Sequence, residues 1–272
     1  QVGFGHCRLK ILDNSDAANQ PFFNATKSLM LVFNGEIYNF LELKNQYFAT
    51  YQFKTSSDTE VLMLMFERFG LSMLDKLLGM FAIAIYDFEK QELILVRDRF
   101  GIKPLYFSQT SEYLVFASQL DALQALLDFK CEASLFGLYH LLSVMAVPAP
   151  FTTLKNVYKL PAGYYLRTSL FSQDYQVSCW YNLLPTMLLQ KKAINSSACH
   201  ALLDTSVKRH VLATDVPVAI FLSSGVDSSC LAMLACVYAK LTAFHLHFLG
   251  EEKLSEIDKV REVCALLKID LR

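Results

Sequence analysis

The sequence has 272 residues, a length that corresponds to about two domains of ordinary size. Its composition, 53% hydrophobic and 19% charged, is that of a folded protein and excludes disorder as the general state. The 25 basic and 26 acidic residues give a net charge of -1, so the chain lacks the charge excess with which proteins bind nucleic acid or anionic membranes. We therefore expect neither as a partner.

Neither the cysteines nor the apolar stretches indicate a secreted or membrane protein. The seven cysteines form no CxxC pair and no zinc-site spacing, and we expect them to be buried thiols of a cytoplasmic protein. The apolar stretch 133–154 contains Pro148 and Pro150, which break a helix, so it is not expected to cross a membrane. Residues 1–6 have neither the basic nor the apolar region of a signal peptide, and none is expected.

The first half of the chain predicts an antiparallel α+β domain. An apolar, β-rich run at 29–33 is followed by the dipeptide Asn34-Gly35, where we expect the strand to stop in a sharp bend. Apolar residues at helical spacing predict a helix over 60–69, with Ser57 or Asp58 as its N-cap. Further strands are expected at 80–86, 93–96, 105–107 and 113–117, a helix at 133–145 and short β structure at 160–166.

The second half changes to alternating helices and strands after 174–192, which we predict to be connecting structure. The predicted order is a helix at 196–213, a buried strand at 216–222, a Ser/Gly loop, a helix at 228–240, a strand at 241–248 and a further helix. That last helix opens with Ser255 and Asp258 at the spacing of a capping box. This alternation implies a parallel sheet and a second domain, with a boundary between about 170 and 195.

The loop after the buried strand is the sharpest local signal. Ser223, Ser224 and Gly225 are small enough for the backbone to wrap around a ligand, and the following helix N-terminus favours an anion. Asp227 would suit Mg²⁺ held against a nucleotide. No lysine follows the glycine, so the loop is not a Walker A motif. An ordinary turn with a capping aspartate is the alternative, but a loop at the carboxyl end of a parallel strand favours nucleotide binding.

A second candidate set lies in the first half and comprises Arg8, Asn34, Gly35, Glu36 and Asp58. A guanidinium can bind a carboxylate, an aspartate can pair with an ammonium group, and an Asn amide beside a Gly N–H can hold an oxyanion. Together these groups would suit a free amino acid. Taken singly, each residue is explained better by a hairpin turn, a surface charge or a helix cap.

Several longer segments point to one family. The first half reads, in chain order, GHCRLKILD at 5–13, NQP at 19–21, FNGEIYN at 33–39, SDTE at 57–60, GMFA at 79–82, RDRFGIKPLY at 97–106 and KLPAG at 159–163. The second half adds DVP at 215–217 and the loop at 223–229. In this order, over nearly the whole chain, the segments resemble the glutamine-dependent asparagine synthetases.

The resemblance implies a glutaminase domain of the N-terminal-nucleophile type over 1–175, with antiparallel sheets layered with helices. It implies that 190–272 begin an α/β parallel-sheet ATP-pyrophosphatase domain. In this family the first domain hydrolyses glutamine, and the ammonia passes to a second site where aspartate is activated with ATP. The expected ligands are therefore glutamine, aspartate or another carboxylate, ATP and Mg²⁺, and a homodimer is one assembly that the family allows.

Carried over by position, the resemblance assigns roles to residues of both domains. Arg8 would bind the α-carboxylate of glutamine and Asp58 its α-amino group, and Asn34 with Gly35 would hold the oxyanion. The remaining residues of the glutamine site would be Leu9, Lys10, Ile11 and Glu36. The ATP site would consist of Ser223, Gly225, Asp227 and Ser228 around the pyrophosphate, with Asp227 on Mg²⁺, and Leu222 and Leu246 beside the adenine.

Differences from the family pattern set further expectations. The family's nucleophile is a cysteine at the mature N-terminus, and this chain begins at Gln1, just before the Arg8 segment, so we expect a fragment without glutaminase activity. Ser224 replaces a usual glycine, and a positive φ there would cost about 1 kcal/mol. The sequence stops at Arg272, early in the synthetase domain. Two alternatives stay open: a related ATP-dependent amidotransferase acting on another carboxylate, and a non-catalytic binding module.

Overall fold

The structure is a computed structural model and describes residues 1–126, 132–169, 174–189, 195–247 and 255–272. The chain divides into two compact units. The first unit consists of Gln1–Leu9 and Ser15–Lys191, and the second of Lys10–Asn14 and Lys192–Arg272. The second unit therefore includes a short segment from near the start of the chain.

The first unit is built on two antiparallel sheets. Its strands are β1 (Phe22–Phe23), β2 (Leu29–Ile37), β3 (Gly79–Asp87), β4 (Glu92–Arg97), β5 (Tyr106–Gln109), β6 (Leu114–Ala117), β7 (Tyr158–Lys159), β8 (Tyr164–Ser169) and β9 (Tyr175–Cys179). The larger sheet has the order β1-β2-β3-β4-β8-β9, and the smaller one the order β6-β5-β7. Every strand pair in both sheets is antiparallel, as predicted.

The helices of the first unit are α1 (Phe40–Tyr47), α2 (Asp58–Phe69), α3 (Leu120–Leu126), α4 (Leu135–Val144) and α5 (Leu183–Leu189). Short 3-10 helices lie at Asp16–Ala18 and Gly70–Asp75. Helix α2 begins at the predicted place, where the Ser57 hydroxyl accepts a hydrogen bond from the Thr59 N–H. Within the described ranges, no helix is both long enough and apolar enough to cross a membrane.

The core of the first unit lies on both faces of the central strands. Small residues of β3, Ala82 and Ala84, let the larger sheet pack closely against Leu105 and Phe107 of the segment that enters the smaller sheet. Ile83 and Ile85 alternate with them on β3 and are fully buried as well. A strand with both faces covered holds its backbone rigidly, and β2 runs alongside it.

The bend predicted at Asn34-Gly35 is wrong. Strand β2 continues through this dipeptide to Ile37, because β3 pairs with it over its whole length, from Leu29 opposite Asp87 to Ile37 opposite Gly79. An Asn-Gly dipeptide bends only when no partner strand holds it extended. Here nine residues of ladder outweigh the local turn preference.

The prediction of connecting structure at 174–192 is also wrong in part. Strand β9 pairs with β8 at the edge of the larger sheet, and α5 follows it. Four of its five side chains, Tyr175, Gln176, Val177 and Cys179, are exposed, so the segment lacks the alternating burial that would have marked it as a strand.

The second unit is a parallel α/β layer. It contains α6 (Ser196–Leu212), β10 (Val218–Phe221), α7 (Val226–Ala235), β11 (Leu241–Phe244), α8 (Ile257–Leu267) and β12 (Asp270–Leu271). The strands are parallel in the order β10-β11-β12, as predicted. Its core consists of buried residues from the sheet and from the helices that cover it, including Leu222, Ala232, Leu241, Ala243 and Val260.

Two smaller predictions fail. The capping box at the start of α8 does not form: the Ser255 hydroxyl bonds the Ile257 N–H and His247 Nδ1, and the helix begins after Glu256 without a side-chain cap. The cysteines that the structure describes are free, but they are not all buried. Cys7, Cys179 and Cys199 are exposed, whereas Cys264 is buried.

Candidate functional site

The end of β2 carries the first group of candidate residues. Asn34, Gly35 and Glu36 pair with Ala82, Phe81 and Met80 of β3. The Asn34 Nδ2 amide donates a hydrogen bond to the Ser118 hydroxyl at 3.0 Å, which fixes the orientation of its side chain. A half-buried amide held in this way is preorganised to donate to a further group.

Gly35 fits here because the strands approach closely. Its φ is 152°, and a Cβ at this position would lie 2.0 Å from the Met80 carbonyl oxygen. No other residue can adopt this backbone without moving β3 away. Gly35 therefore belongs to the construction of the site whatever its N–H binds.

Asp58 is buried at the first turn of α2. Its carboxylate is 4% exposed and accepts a hydrogen bond from the Ile37 N–H at 3.0 Å, which joins the start of α2 to the end of β2. Burial raises the pKa of Asp58 to about 6, although hydrogen bonds from Ile37, Ser57 and Thr59 and the charge of Arg8 act in the opposite direction.

Glu36 is the most perturbed acid of this region. Burial, followed by the negative charge of Asp58, raises the pKa of Glu36 to about 8, and the positive charges of Lys103 and Arg8 act against this rise. Asp58, Lys103 and Arg8 are thus all close enough to Glu36 to influence it electrostatically. We refer to Arg8, Glu36, Asp58 and Lys103 as the charged cluster.

The sequence reasoning did not single out Lys103. Its backbone is clamped at both ends, since its N–H donates to the Asp98 carboxylate at 2.9 Å and its carbonyl accepts from the Arg97 guanidinium at 2.8 Å. Asp98 accepts further hydrogen bonds from the N–H groups of Phe81, Phe100 and Ile102. The sequence signal that could have pointed to Lys103 is the pair Arg97 and Asp98 just before Gly101. Charged side chains that become buried usually bond nearby backbone groups, and these two bond the backbone of Lys103.

Arg8 also bonds a backbone group outside the charged cluster, and the remaining predicted residues of the first set, Leu9, Lys10 and Ile11, lie in different surroundings. The half-buried Arg8 guanidinium donates to the Ser15 carbonyl at 3.2 Å, and the Leu9 side chain is 82% exposed. Lys10 and Ile11 group with the second unit, where the Ile11 carbonyl accepts from the Asp215 N–H at 3.0 Å.

The loop between β10 and α7 carries the second group of candidates. The hydroxyls of Ser223 and Ser228 lie 2.8 Å apart, and Gly225 is the N-cap of α7. Ser224 is not among the described residues with a positive φ, so the cost predicted for a serine there does not arise. The side chain of Asp227 is exposed in the first turn of α7.

An acceptor already lies on this loop. The Ser224 N–H donates to the Glu256 carboxylate at 3.0 Å, and this hydrogen bond lowers the pKa of Glu256. The sequence analysis did not single out Glu256. Its position at the start of a predicted helix is the one sequence feature that could have suggested it. A backbone N–H that binds a carboxylate oxygen here is suited to bind a phosphate oxygen.

The two leucines assigned to the adenine differ in exposure. Leu222 is 3% exposed and belongs to the core of the second unit. Its N–H donates a hydrogen bond to the Phe244 carbonyl, and its carbonyl oxygen is hydrogen-bonded to His245 Nδ1. Leu246 is 74% exposed. Among the described residues, no three His, Cys, Asp or Glu side chains lie close enough together to bind a metal ion by themselves.

Comparison with known families agrees with the arrangement of the two units. Residues 1–181 match the family described as glutamine amidotransferase domain, and residues 198–272 match the family described as asparagine synthase. The protein is thus of the amidotransferase class. The chain belongs to the glutamine-dependent asparagine synthetase family.

Several curated relatives are named as asparagine synthetases of the glutamine-hydrolysing type. Asparagine synthetase [glutamine-hydrolyzing] 2 of Bacillus subtilis is 36% identical over 90% of this chain and 34% of its own length. Asparagine synthetase [glutamine-hydrolyzing] 1 of the same organism is 34% identical over 99% of this chain and 42% of its own length. A putative asparagine synthetase of Methanocaldococcus jannaschii is 30% identical over 92% of this chain and 51% of its own length. The chain thus spans between a third and about half of these relatives.

Among solved structures, a glutamine phosphoribosylpyrophosphate amidotransferase from Bacillus subtilis is similar with a TM-score of 0.42 and 18% identity, over 93% of this chain and 48% of that one. This likeness is too distant to carry the assignment, which depends on the family matches.

Proposed function

We propose that the protein is a glutamine-hydrolysing asparagine synthetase, in which the first unit binds glutamine as the ammonia donor and the second binds ATP to activate aspartate. The observation that carries this proposal is the charged cluster beside Asn34 and Gly35 on β2. The names of the relatives support the same activity. The proposal includes an N-terminal-nucleophile fold for 1–175, a pyrophosphatase-type fold for 190–272 and a cytoplasmic location.

Different residues of the first unit would bind the two ends of glutamine. The Arg8 guanidinium would bind the α-carboxylate, and the carboxylates of Asp58 and Glu36 would bind the α-ammonium group. The Asn34 amide and the Gly35 N–H would hold the carbonyl oxygen of the side-chain amide, which gains negative charge when a nucleophile attacks its carbon. Ser118 supports this step, because it holds the Asn34 amide in place.

The residues of the second unit fit an ATP–Mg²⁺ complex. The loop offers the N-terminus of α7 and two serine hydroxyls, and its Ser224 N–H already binds a carboxylate oxygen. Ser223, Gly225 and Ser228 would hold the pyrophosphate, and Leu222 and Leu246 would border the adenine. Asp227 would bind Mg²⁺ together with phosphate oxygens, the usual arrangement for this ion. ATP supplies the leaving group that makes a carboxylate reactive toward ammonia.

The glutamine site is tested by titration calorimetry with glutamine on the 272-residue chain. We expect Arg8→Met to weaken binding more than tenfold, because a charge-assisted hydrogen bond to a carboxylate is worth about 1.5–3 kcal/mol. Arg261→Met, at an exposed arginine of α8, is the matched control and should bind glutamine normally. If the parent chain binds no glutamine, or Arg8→Met binds it equally well, the proposed donor site is wrong.

The nucleotide site is tested with Mg-ATP on the same chain. Asp227→Asn should weaken binding in the presence of Mg²⁺ more than in its absence, since the carboxylate acts through the metal ion. Asp258→Asn, at an exposed aspartate of α8, is the matched control. A non-catalytic scaffold would bind neither glutamine nor Mg-ATP, and that result would favour the binding-module alternative.

A different acceptor is the second candidate. Amidase chry2 of Gibberella zeae is 32% identical over 85% of this chain, so the family includes proteins that are not named asparagine synthetases. The acceptor of the whole protein is identified by supplying Mg-ATP and ammonia with aspartate or with other carboxylates and measuring pyrophosphate release. Release with aspartate supports asparagine synthesis, and release with another carboxylate alone would replace it. A homodimer is proposed from the family and is checked by light scattering.

A further inference from the structure

The NQP segment at 19–21 lies where the edge strand of the larger sheet ends. Strand β1 pairs Phe22 with Leu31 and Phe23 with Met30. Continuing this register would place Gln20 opposite Phe33. Pro21 has no N–H to donate to the ladder, and β1 begins only at Phe22. The edge of β2 therefore loses its partner strand after Leu31, three residues before Asn34.

A side chain replaces the missing strand at Phe33. The Phe33 N–H donates to the Gln20 Oε1 amide oxygen at 2.6 Å. The His6 ring lies close to the same residue: burial lowers the pKa of His6, and its interaction with the Phe33 backbone acts in the opposite direction. On the β1 edge, the Phe33 N–H is thus bound by a side chain rather than by a partner strand, while β3 pairs with the other edge.

The same Gln20 amide reaches helix α2. Its Nε2 donates to the Thr59 hydroxyl at 3.5 Å, and Thr59 is 2% exposed. Phe33 directly precedes Asn34, and Thr59 directly follows Asp58. One amide group therefore bridges the residue before the proposed oxyanion donor and the residue after the proposed ammonium acceptor.

We propose that Gln20 is a positioning residue that sets where Asn34 presents its amide to the side-chain carboxamide of glutamine. The proposal rests on the proposed glutamine site. Without the Gln20 oxygen, the Phe33 N–H must find another acceptor, and the backbone that carries Asn34 shifts with it. Arg8 lies outside β2, and Glu36 lies three residues beyond Phe33 where β3 still pairs with the strand, so we expect the loss to fall mainly on carboxamide recognition.

The test compares two ligands by titration calorimetry on the 272-residue chain. Glutamine and norvaline share the zwitterion and a three-carbon side chain, but norvaline has no carboxamide. The ratio of their affinities therefore isolates carboxamide recognition from general damage to the site. We expect Gln20→Met to lower this ratio about fivefold, which is what one hydrogen bond is worth.

Two further variants separate positioning from fold maintenance. Gln20→Glu keeps an acceptor oxygen for the Phe33 N–H and should retain the ratio, because its added charge acts equally on both zwitterions. Gln46→Met, at an exposed glutamine of α1, is the matched control and should not change it. If Gln20→Met fails to fold, Thr59→Val tests the bridge from its other end, with an expected fall of about twofold.

Each result decides between the proposals. A parent chain that binds neither ligand, or both equally, overturns the glutamine site itself. A parent chain that prefers glutamine, together with a folded Gln20→Met that keeps the full preference, overturns the positioning role alone. Equal losses for both ligands in Gln20→Met would reduce Gln20 to a structural residue.

Discussion

Binding of glutamine is expected to release a proton from Glu36. With a pKa of about 8, this carboxyl is about nine-tenths protonated at pH 7 before the ligand arrives. A ligand ammonium group beside it favours the charged form and lowers its pKa. If the carboxyl is fully ionised in the complex, then about 0.9 proton leaves it for each glutamine bound at pH 7.

The sign of the pH dependence follows from the same shift. Because the free site holds its proton up to pH values near 8, binding costs a deprotonation at every lower pH. The ionised fraction of Glu36 falls from about one half at pH 8 to about one hundredth at pH 6, so glutamine affinity should fall roughly 50-fold over that range. Asp58, with a pKa of about 6, adds to the loss at the acid end.

The proton count is measured by calorimetry at pH 7 in buffers of different ionisation enthalpy, where the slope of heat against that enthalpy gives the protons released. Glu36→Gln should reduce the slope to about 0.1, the share that Asp58 contributes at this pH. A slope near zero in the parent chain, or an unchanged slope in Glu36→Gln, would refute the reasoning about the charged cluster.

Other substitutions test the framework around the sites. Gly35→Ala should destabilise the chain by about 3 kcal/mol in urea unfolding, because its Cβ would meet the Met80 carbonyl oxygen at 2.0 Å. Asp98→Asn should cost about 2–3 kcal/mol in the same assay, since an amide NH₂ would face backbone N–H donors that now share a carboxylate. Glu256→Gln should tighten Mg-ATP binding about fivefold, because a weaker acceptor then competes for the Ser224 N–H.

Each of these substitutions has a matched control. Gly3→Ala places its Cβ where nothing lies within 4 Å, Asp121→Asn is on an exposed face of α3, and Glu262→Gln is exposed on α8. The controls should differ little from the parent chain. Equal stability of Gly35→Ala and Gly3→Ala would contradict the close approach of β2 and β3, and weaker ATP binding by Glu256→Gln would make Glu256 a nucleotide ligand rather than a competitor.

Patterns that depend on one element were readable from the sequence. The apolar spacing and the capping serine of α2 are local, and both are confirmed. The alternation of helices and strands after residue 196 requires a parallel sheet in any compact arrangement, and that sheet is present. These features needed no knowledge of what lies beside them.

Features that depend on a distant partner were not readable. The Asn34-Gly35 dipeptide has the sequence of a turn, and only the pairing with β3 keeps it extended. The partly exposed side chains of β9 give no strand pattern, because the strand exists through its ladder with β8. In both segments the backbone conformation is set by pairing with a strand distant in the sequence rather than by local residue preference.

The candidate sites show the same division. Residue types suggested a zwitterion site and an anion loop, but the raised pKa of Glu36 comes from its burial in the fold and, after that, from the negative charge of Asp58 on another element. Lys103 became visible only through the clamp of Arg97 and Asp98 on its backbone. The role of Glu256 depends on the return of α8 to the loop 32 residues earlier in the chain.

The placement of Lys10–Asn14 bears on how the chain can be made and divided. The Asp13 N–H meets the Asp215 carboxylate across 202 residues of sequence. During synthesis the Asp13 contact cannot form until Asp215 has emerged, so it closes late, after the first half has had time to organise. If the chain were cut near residue 190 and only the later part were expressed, the second unit would lack the five residues Lys10–Asn14. Any split-protein experiment should supply them as a separate peptide or by circular permutation.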